Sequence, residues 1–161
     1  MIKKDVQIAS ILWILILILQ TFIPAFKFND VHIQPDLLIV LITFVAMRYS
    51  GDFTVIFGFL NGLIQDFTTQ ESLLGILTLA KSVSAYGLHF VQHYRTIWTR
   101  EVKLICIFSA YFLHNLIYYY FYLSNSLSIF TVGISVILIQ SLISFLVFVI
   151  FEKILFKSKL I

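Results

Sequence analysis

Charge is scarce in this 161-residue chain, where 11 lysines and arginines and 8 aspartates and glutamates make up 12% of the residues. A soluble domain carries about 25% charged residues and about 45–50% apolar ones. Here the apolar share is 60% and the mean hydropathy is +1.00. No globule of this length has enough interior to hide that excess, so lipid must solvate much of the surface. Cysteine is nearly absent. The single Cys106 lies in an apolar stretch, which excludes an intrachain disulfide and leaves the redox compartment unmarked. Long polar segments are missing as well. Six spans of about 20 residues would take about 120 residues, leaving about 41 for five loops and two tails. That excludes an appended soluble domain, a long catalytic loop and an extended nucleic-acid-binding arm. There is no phosphate loop, no G-x-S-x-G elbow, no Cys/His zinc framework and no dinucleotide fingerprint. Nor is there an internal repeat, a low-complexity linker or a domain boundary, so residues 1–161 read as a single domain.

Six apolar runs are present. The first, Val6 to Phe26, follows Lys3 and Lys4. It is longer than the 7–15-residue centre of a signal peptide and lacks a small-residue cleavage pattern, so it reads as a retained anchor. The second starts at Pro35, suited to the first helical position, has Asp36 in its first turn, and ends at Arg48 and Tyr49. Ser50-Gly51-Asp52 reads as a tight turn before the third run, Phe53 to Phe67. These two runs have about 15 residues each, or about 22 Å of helix against a core about 30 Å thick, so a re-entrant hairpin is an alternative to two spans. Either way the parity of later spans is unchanged. The fourth run is Ser72 to Gln92, followed by a polar stretch from His93 to Glu101. The fifth is Lys103 to Leu123, with a turn at Ser124-Asn125-Ser126. The sixth is Ser128 to Phe151, ending in Glu152, Lys153, Lys157 and Lys159.

The net charge of +3 and the pI near 9.0 do not imply nucleic-acid binding, because the basic residues sit in loops and tails. With six spans and a cytoplasmic N-terminus, nine lysines and arginines fall inside and only Lys27 outside, with Lys81 within a span. That bias orients the chain with both termini in the cytoplasm.

Asp36 and Asp66 then share the outer side. Asp36 reads as a first-turn acid balancing the helix dipole. Asp66, at the unfavourable end of its helix, reads either as a solvated loop residue, as a cap for a following turn, or as part of a functional pair. Gly58 and Gly62 form G-x-x-x-G, a spacing that lets helix backbones approach closely in lipid. The contact is either within the chain or with a partner. Asn61 and Gln65 extend this small and polar stripe, which faces protein. Lys81, about nine residues into run four, is either a buried cation pairing with an acid such as Asp66 or lining a cavity, or a side chain snorkelling to the headgroups. It borders a face made by Thr78, Ser82, Ala85, His89 and Gln92.

His89 and His93 have a metal-compatible i, i+4 spacing without the companion glutamate of H-E-x-x-H, and read as an interfacial pair. Tyr111, Asn115, Tyr118 and Tyr122 share one edge of run five with His114 beside them, a bundle-facing edge or a cavity wall. The run Tyr118-Tyr119-Tyr120-Phe121-Tyr122 reads as an aromatic belt. Gln140, Ser141 and Ser144 read as interhelical hydrogen-bond groups. From periodicity alone the chain is a small polytopic all-α membrane protein.

Three segments carry a resemblance: Gln34-Pro35-Asp36-Leu37-Leu38-Ile39-Val40, then Gly58-Phe59-Leu60-Asn61-Gly62-Leu63-Ile64-Gln65-Asp66, then Leu74-Gly75-Ile76. Their order and spacing resemble the bacterial rod shape-determining protein MreD family. The motif region runs from about Gln34 to Ala80, and the rest agrees in hydropathy. The resemblance implies a non-enzymatic inner-membrane component of the cell-wall elongation machinery, without a cofactor or metal. Its partners would be a single-pass MreC-like scaffold, the MreB filament and the cell-wall synthases. It also implies a six-transmembrane-helix bundle similar to the substrate-binding subunits of energy-coupling-factor transporters. The family motif positions, candidates for a partner interface, are Pro35, Asp36, Gly58, Gly62, Gln65, Asp66 and Gly75. A polar cavity or bundle interior at Lys81, His114 and Asn115 rests on this sequence alone. The competing function is a small-molecule-binding transporter subunit using Asp36, Asp66, Lys81 and the run-five aromatics. An intramembrane enzyme would lack a nucleophile–base pair.

Overall fold

The computed structural model describes residues 13–28, 31–69, 74–122 and 133–156. Among them lie six helices: α1 (Trp13–Phe22), α2 (Leu37–Ala46), α3 (Gly51–Thr69), α4 (Ile76–His93), α5 (Arg100–Tyr122) and α6 (Ile134–Phe156). Between α1 and α2 a short antiparallel hairpin, β1 (Phe26–Phe28) with β2 (Val31–Ile33), occupies what reads in sequence as loop. The fold is all-α apart from this hairpin.

Only α5 and α6 are, among the described residues, both long and apolar enough to cross a membrane on length and composition. The expectation of six comparable spans is therefore met in helix number but not in uniform character. The described part of α1 and the whole of α2 have 10 residues each. α3 and α4 are longer but carry Asn61, Asp66, Thr78 and Lys81, which they bury. Their polar residues face protein, which lowers their mean hydropathy without exposing polarity to lipid.

Several boundaries move, for local reasons. Helix α2 begins at Leu37, with Asp36 as its N-cap, so Pro35 lies outside the helix rather than at its first position. Aspartate is a good N-cap because its carboxylate accepts the free first-turn N–H groups. Gly51 and Asp52 belong to the first turn of α3, not to the preceding turn, where Asp52 complements the helix dipole. Helix α4 starts after Gly75, whose φ of +98° suits glycine and not a residue with a Cβ. Helix α5 starts at Arg100, and α6 continues through Glu152 and Lys153. The starts expected at Val6, Ser72 and Ser128, the turn Ser124-Asn125-Ser126 and the tail lysines Lys157 and Lys159 lie outside the described residues.

Helix α4 is central, packing on α2, α3 and α5, with α6 against α5 and α2. The larger core joins Ile39, Ile42, Leu88, Ile107, Tyr111 and Phe148, and a smaller one joins Ile33, Tyr119, Val136 and Ile137. Outward faces are apolar, with residues such as Phe53, Ile56, Tyr86, Ile105, Leu146 and Ile154 exposed. A fold that buries its polar groups and exposes its apolar ones is adapted to lipid.

Candidate functional site

Among the described residues the most extensive helix contact is made by α3 and α4. A Cβ on Gly62 would stand 2.4 Å from Thr78 Cα, and one on Gly58 would stand 2.8 Å from Ala85 Cβ. The G-x-x-x-G face is thus filled from within the chain. Close approach is what lets Asp66 act, one turn beyond Gly62. Its carboxylate accepts from the backbone N–H of Leu77 at 3.1 Å and of Thr78 at 2.9 Å, and from the Thr78 hydroxyl. Gly75 itself offers no side chain to cap α4. Asp66 supplies that cap from the neighbouring helix, and sits at the positive end of α4's dipole. Its position at the C-terminal part of α3, unfavourable in isolation, is explained by the helix it faces. It is buried, not a solvated loop residue.

Asp36 ties a second group of helices. Its Oδ1 accepts from Leu38 N at 2.9 Å and Ile39 N at 3.2 Å. Its Oδ2 pairs with the Lys81 ammonium of α4 and lies 3.3 Å from His114 Nε2 of α5. Its own backbone N–H donates to Ser144 Oγ of α6 at 3.3 Å. Lys81 is wholly buried, so it does not snorkel, and its direct partner is Asp36 rather than Asp66, which is engaged by α4's first turn. A buried charge persists only when paired and hydrogen-bonded, and here the Asp36 carboxylate is paired with Lys81 and His114 at the meeting of α2, α4, α5 and α6.

Two glutamines complete this end reciprocally. Gln20 of α1 donates through Nε2 to the Pro35 carbonyl at 3.2 Å and accepts at Oε1 from Leu37 N at 2.7 Å. Gln34 donates to the carbonyls of Gln20 and Ile23, both at 2.9 Å. Each side chain serves backbone groups left free by the other's helix end. The Trp13 indole N–H also reaches Asn61 Oδ1 at 2.8 Å, fastening α1 to α3. The sequence pattern does not single out Gln20, Trp13 or Thr43, whose hydroxyl meets that of Tyr111 at 2.8 Å. A lone polar residue inside an apolar run was the available signal.

Between these groups is a cavity of about 120 Å³, walled by Gln20, Gln34, Asp36, Gln65, His114 and Gln140 among others. His114 and Asn115 are buried and line it, as do Tyr118 and Tyr119, whereas Lys81 lies in the interior beside it. Gln65 Oε1 has no hydrogen-bond partner. Asn115 donates to Ser141 Oγ at 3.0 Å, and the Tyr119 hydroxyl donates to Gln140 Oε1 at 2.7 Å. The aromatic run therefore divides, with Tyr119 in the core and Tyr120, Phe121 and Tyr122 exposed. Of the motif positions, Pro35, Asp36, Gln65, Asp66 and Gly75 gather at this one end, with Gly62 beside them and Gly58 a turn further in.

His89 and His93 lie elsewhere. Their ring centroids are 6.1 Å apart, and the His89 ring covers Gly51. Among the described residues no cluster of three or more His, Cys, Asp or Glu is placed to hold a metal ion. The chemistry of the polar end is hydrogen bonding and charge pairing among helices.

Comparison with known proteins gives one family match. The model of the rod shape-determining protein MreD covers residues 3–159. Neither the curated proteins nor the solved structures contain a match to the chain. A match over nearly the whole length, together with a motif region folded into one polar end, places the chain: it belongs to the rod shape-determining protein MreD family, as a non-enzymatic, membrane-associated component of the machinery that sets rod shape and elongates the cell wall.

Proposed function

We propose that this protein is a single six-span domain of the bacterial inner membrane, with both termini in the cytoplasm, and that it assembles at its outer end with a single-pass MreC-like scaffold. The bundle would then resemble an energy-coupling-factor substrate-binding subunit in span number. The observation that carries this reading is that the motif positions Pro35, Asp36, Gln65, Asp66 and Gly75 lie at one end of the bundle, with Asp36 and Gln65 on the wall of a polar cavity. The opposite end bears Arg48, Arg95, Arg100, Lys103 and Lys153, the sign of a cytoplasmic face. Through such a scaffold the MreB filament and the cell-wall synthases would be joined on the two sides.

Pro35, Asp36, Gln65, Asp66 and Gly75 serve this assembly by holding the outer end in one shape, and Gly58 and Gly62 by seating α3 on α4. The partner meets the cavity rim. Capture of a small molecule, the competing use of the same cavity, is less well matched to about 120 Å³, since ligand pockets commonly measure about 300–1,000 Å³.

Ala25 lines the cavity from the exposed loop before β1. Ala25→Trp should block the mouth, abolish co-purification with the scaffold and leave the unfolding midpoint unchanged. Undiminished co-purification would refute the site. Topology is checked separately by reporters inserted after Phe28 and after Thr96, expected outside and inside respectively. The reverse readings would overturn the orientation.

A further inference from the structure

Three of the helix glycines are accounted for by neighbours at less than van der Waals distance: Gly51 by His89, Gly58 by Ala85 and Gly62 by Thr78. Gly87, in the interior of α4, is not. A Cβ there would meet nothing within 4 Å. Glycine in a helix interior costs about 1 kcal/mol relative to alanine, and no contact among the described residues offsets that cost. Gly87 is part-exposed at the border of α4's outward face, where Leu79, Val83, Tyr86 and Phe90 are exposed. It leaves a notch beside them.

This outward strip ends at a distinctive foot. Tyr86 meets Phe90 edge-on with centroids 5.3 Å apart, Phe90 stacks on Tyr94 at 6.5 Å, and Tyr94 stacks on Trp98 at 5.0 Å. The ladder carries the apolar strip off the helix and into the α4–α5 corner. Trp98 packs against the core and fixes the corner, while Ile97 beside it is 75% exposed. Arg95 and Arg100 are exposed there and Lys103 is part-exposed, against one exposed acid, Glu101. The buried Glu152 faces Arg100 at 3.5 Å and holds it at the corner. From Leu79 to Phe90 the strip is about 16 Å long at the rise of an α-helix. Half of a hydrocarbon core is about 15 Å. The strip thus has the length of one leaflet, with cations and an indole where a headgroup would lie. Helix α6 exposes a comparable strip, Leu138, Leu142, Leu146 and Ile150, but it has no glycine notch.

We propose that the α4–α5 corner is a binding site for one anionic phospholipid, its acyl chain in the Gly87 notch along Val83, Tyr86 and Phe90 and its phosphate on Arg95 and Lys103. The occupant is a lipid because an apolar strip of leaflet length runs straight into the cationic corner. An acidic soluble protein would match the cations alone. The site is independent of the scaffold reading and of which side of the membrane this end faces.

The test titrates phosphatidylglycerol or phosphatidylcholine into the purified full-length protein in detergent and follows bound lipid by native mass spectrometry. Wild type should retain phosphatidylglycerol preferentially. A basic residue near the phosphate contributes about fivefold in affinity, so Arg95→Gln with Lys103→Gln should weaken phosphatidylglycerol about 25-fold, whereas Lys27→Gln at the far end should not. A Cβ at Gly87 has open space within 4 Å, so Gly87→Leu should fold normally, shown by an unfolding midpoint no lower than wild type, and lose the tight lipid. Equal binding of the two lipids by wild type, full retention by the double variant, or full retention by Gly87→Leu would each overturn the proposal. So would unchanged lipid binding in a double variant that loses an acidic soluble partner.

Discussion

Replacing Gly62 by alanine tests whether the glycine face is internal. The new Cβ would lie 2.4 Å from Thr78 Cα, 2.7 Å from the Leu77 carbonyl oxygen and 2.8 Å from Thr78 N. All three are backbone atoms, which cannot turn aside as a rotamer does. Carbon atoms rest at about 3.5–4.0 Å, so α3 and α4 must part by about 1 Å. Overpacking of this kind costs about 1–3 kcal/mol. Separation also stretches the bonds from Leu77 and Thr78 to Asp66, now 3.1 and 2.9 Å, and a lost cap costs about 0.5–2 kcal/mol. Alanine's better helix propensity returns about 1 kcal/mol. The net loss is about 0.5–4 kcal/mol. Gly58→Ala meets a side-chain methyl at 2.8 Å and a carbonyl at 3.0 Å, and should lose about half as much. Gly87→Ala meets nothing and should be neutral or gain up to about 1 kcal/mol. Thermal unfolding in a single detergent, followed by tryptophan fluorescence, should therefore rank Gly87→Ala highest, then Gly58→Ala, then Gly62→Ala. A Gly62→Ala midpoint at or above that of wild type would refute close α3–α4 packing and return this face to a partner.

Two further substitutions probe the buried charges. Lys81→Met leaves the Asp36 carboxylate buried without its ammonium and should cost about 3–5 kcal/mol. Adding Asp36→Asn should restore part of that loss, and a double variant no more stable than Lys81→Met would show that the pair is not coupled. Asp66→Asn keeps one acceptor for the first turn of α4 and should lose about 1 kcal/mol, whereas Asp66→Leu strands two N–H groups and should lose about 2–4 kcal/mol. Equal midpoints for the two variants would mean that charge, not acceptor geometry, is what Asp66 contributes.

Apolar runs with polar breaks determine six helices, because backbone in lipid must satisfy its hydrogen bonds internally. The sequence also brought Asp36 and Asp66 to one end, since consecutive helices alternate in direction. It placed Gly58, Asn61, Gly62 and Gln65 on one face through the 3.6-residue repeat. Which group pairs with which was not legible. Lys81 had two acids within plausible reach, and the choice of Asp36 follows from α4 presenting its own first-turn N–H groups to Asp66. Likewise the polarity of α3 and α4 shows in composition, but its satisfaction by the opposite helix does not. The Gln20–Gln34 exchange and the Trp13–Asn61 bond join segments separated by 14 to 48 residues. Periodicity reports each helix's own face and carries no information about the neighbour that will cover it. Only packing α4 between α3, α2 and α5 decides that Gly62 meets backbone, that Gly87 meets nothing among the described residues, and that the Asp36 carboxylate joins α2, α4 and α5 while its backbone N–H reaches α6.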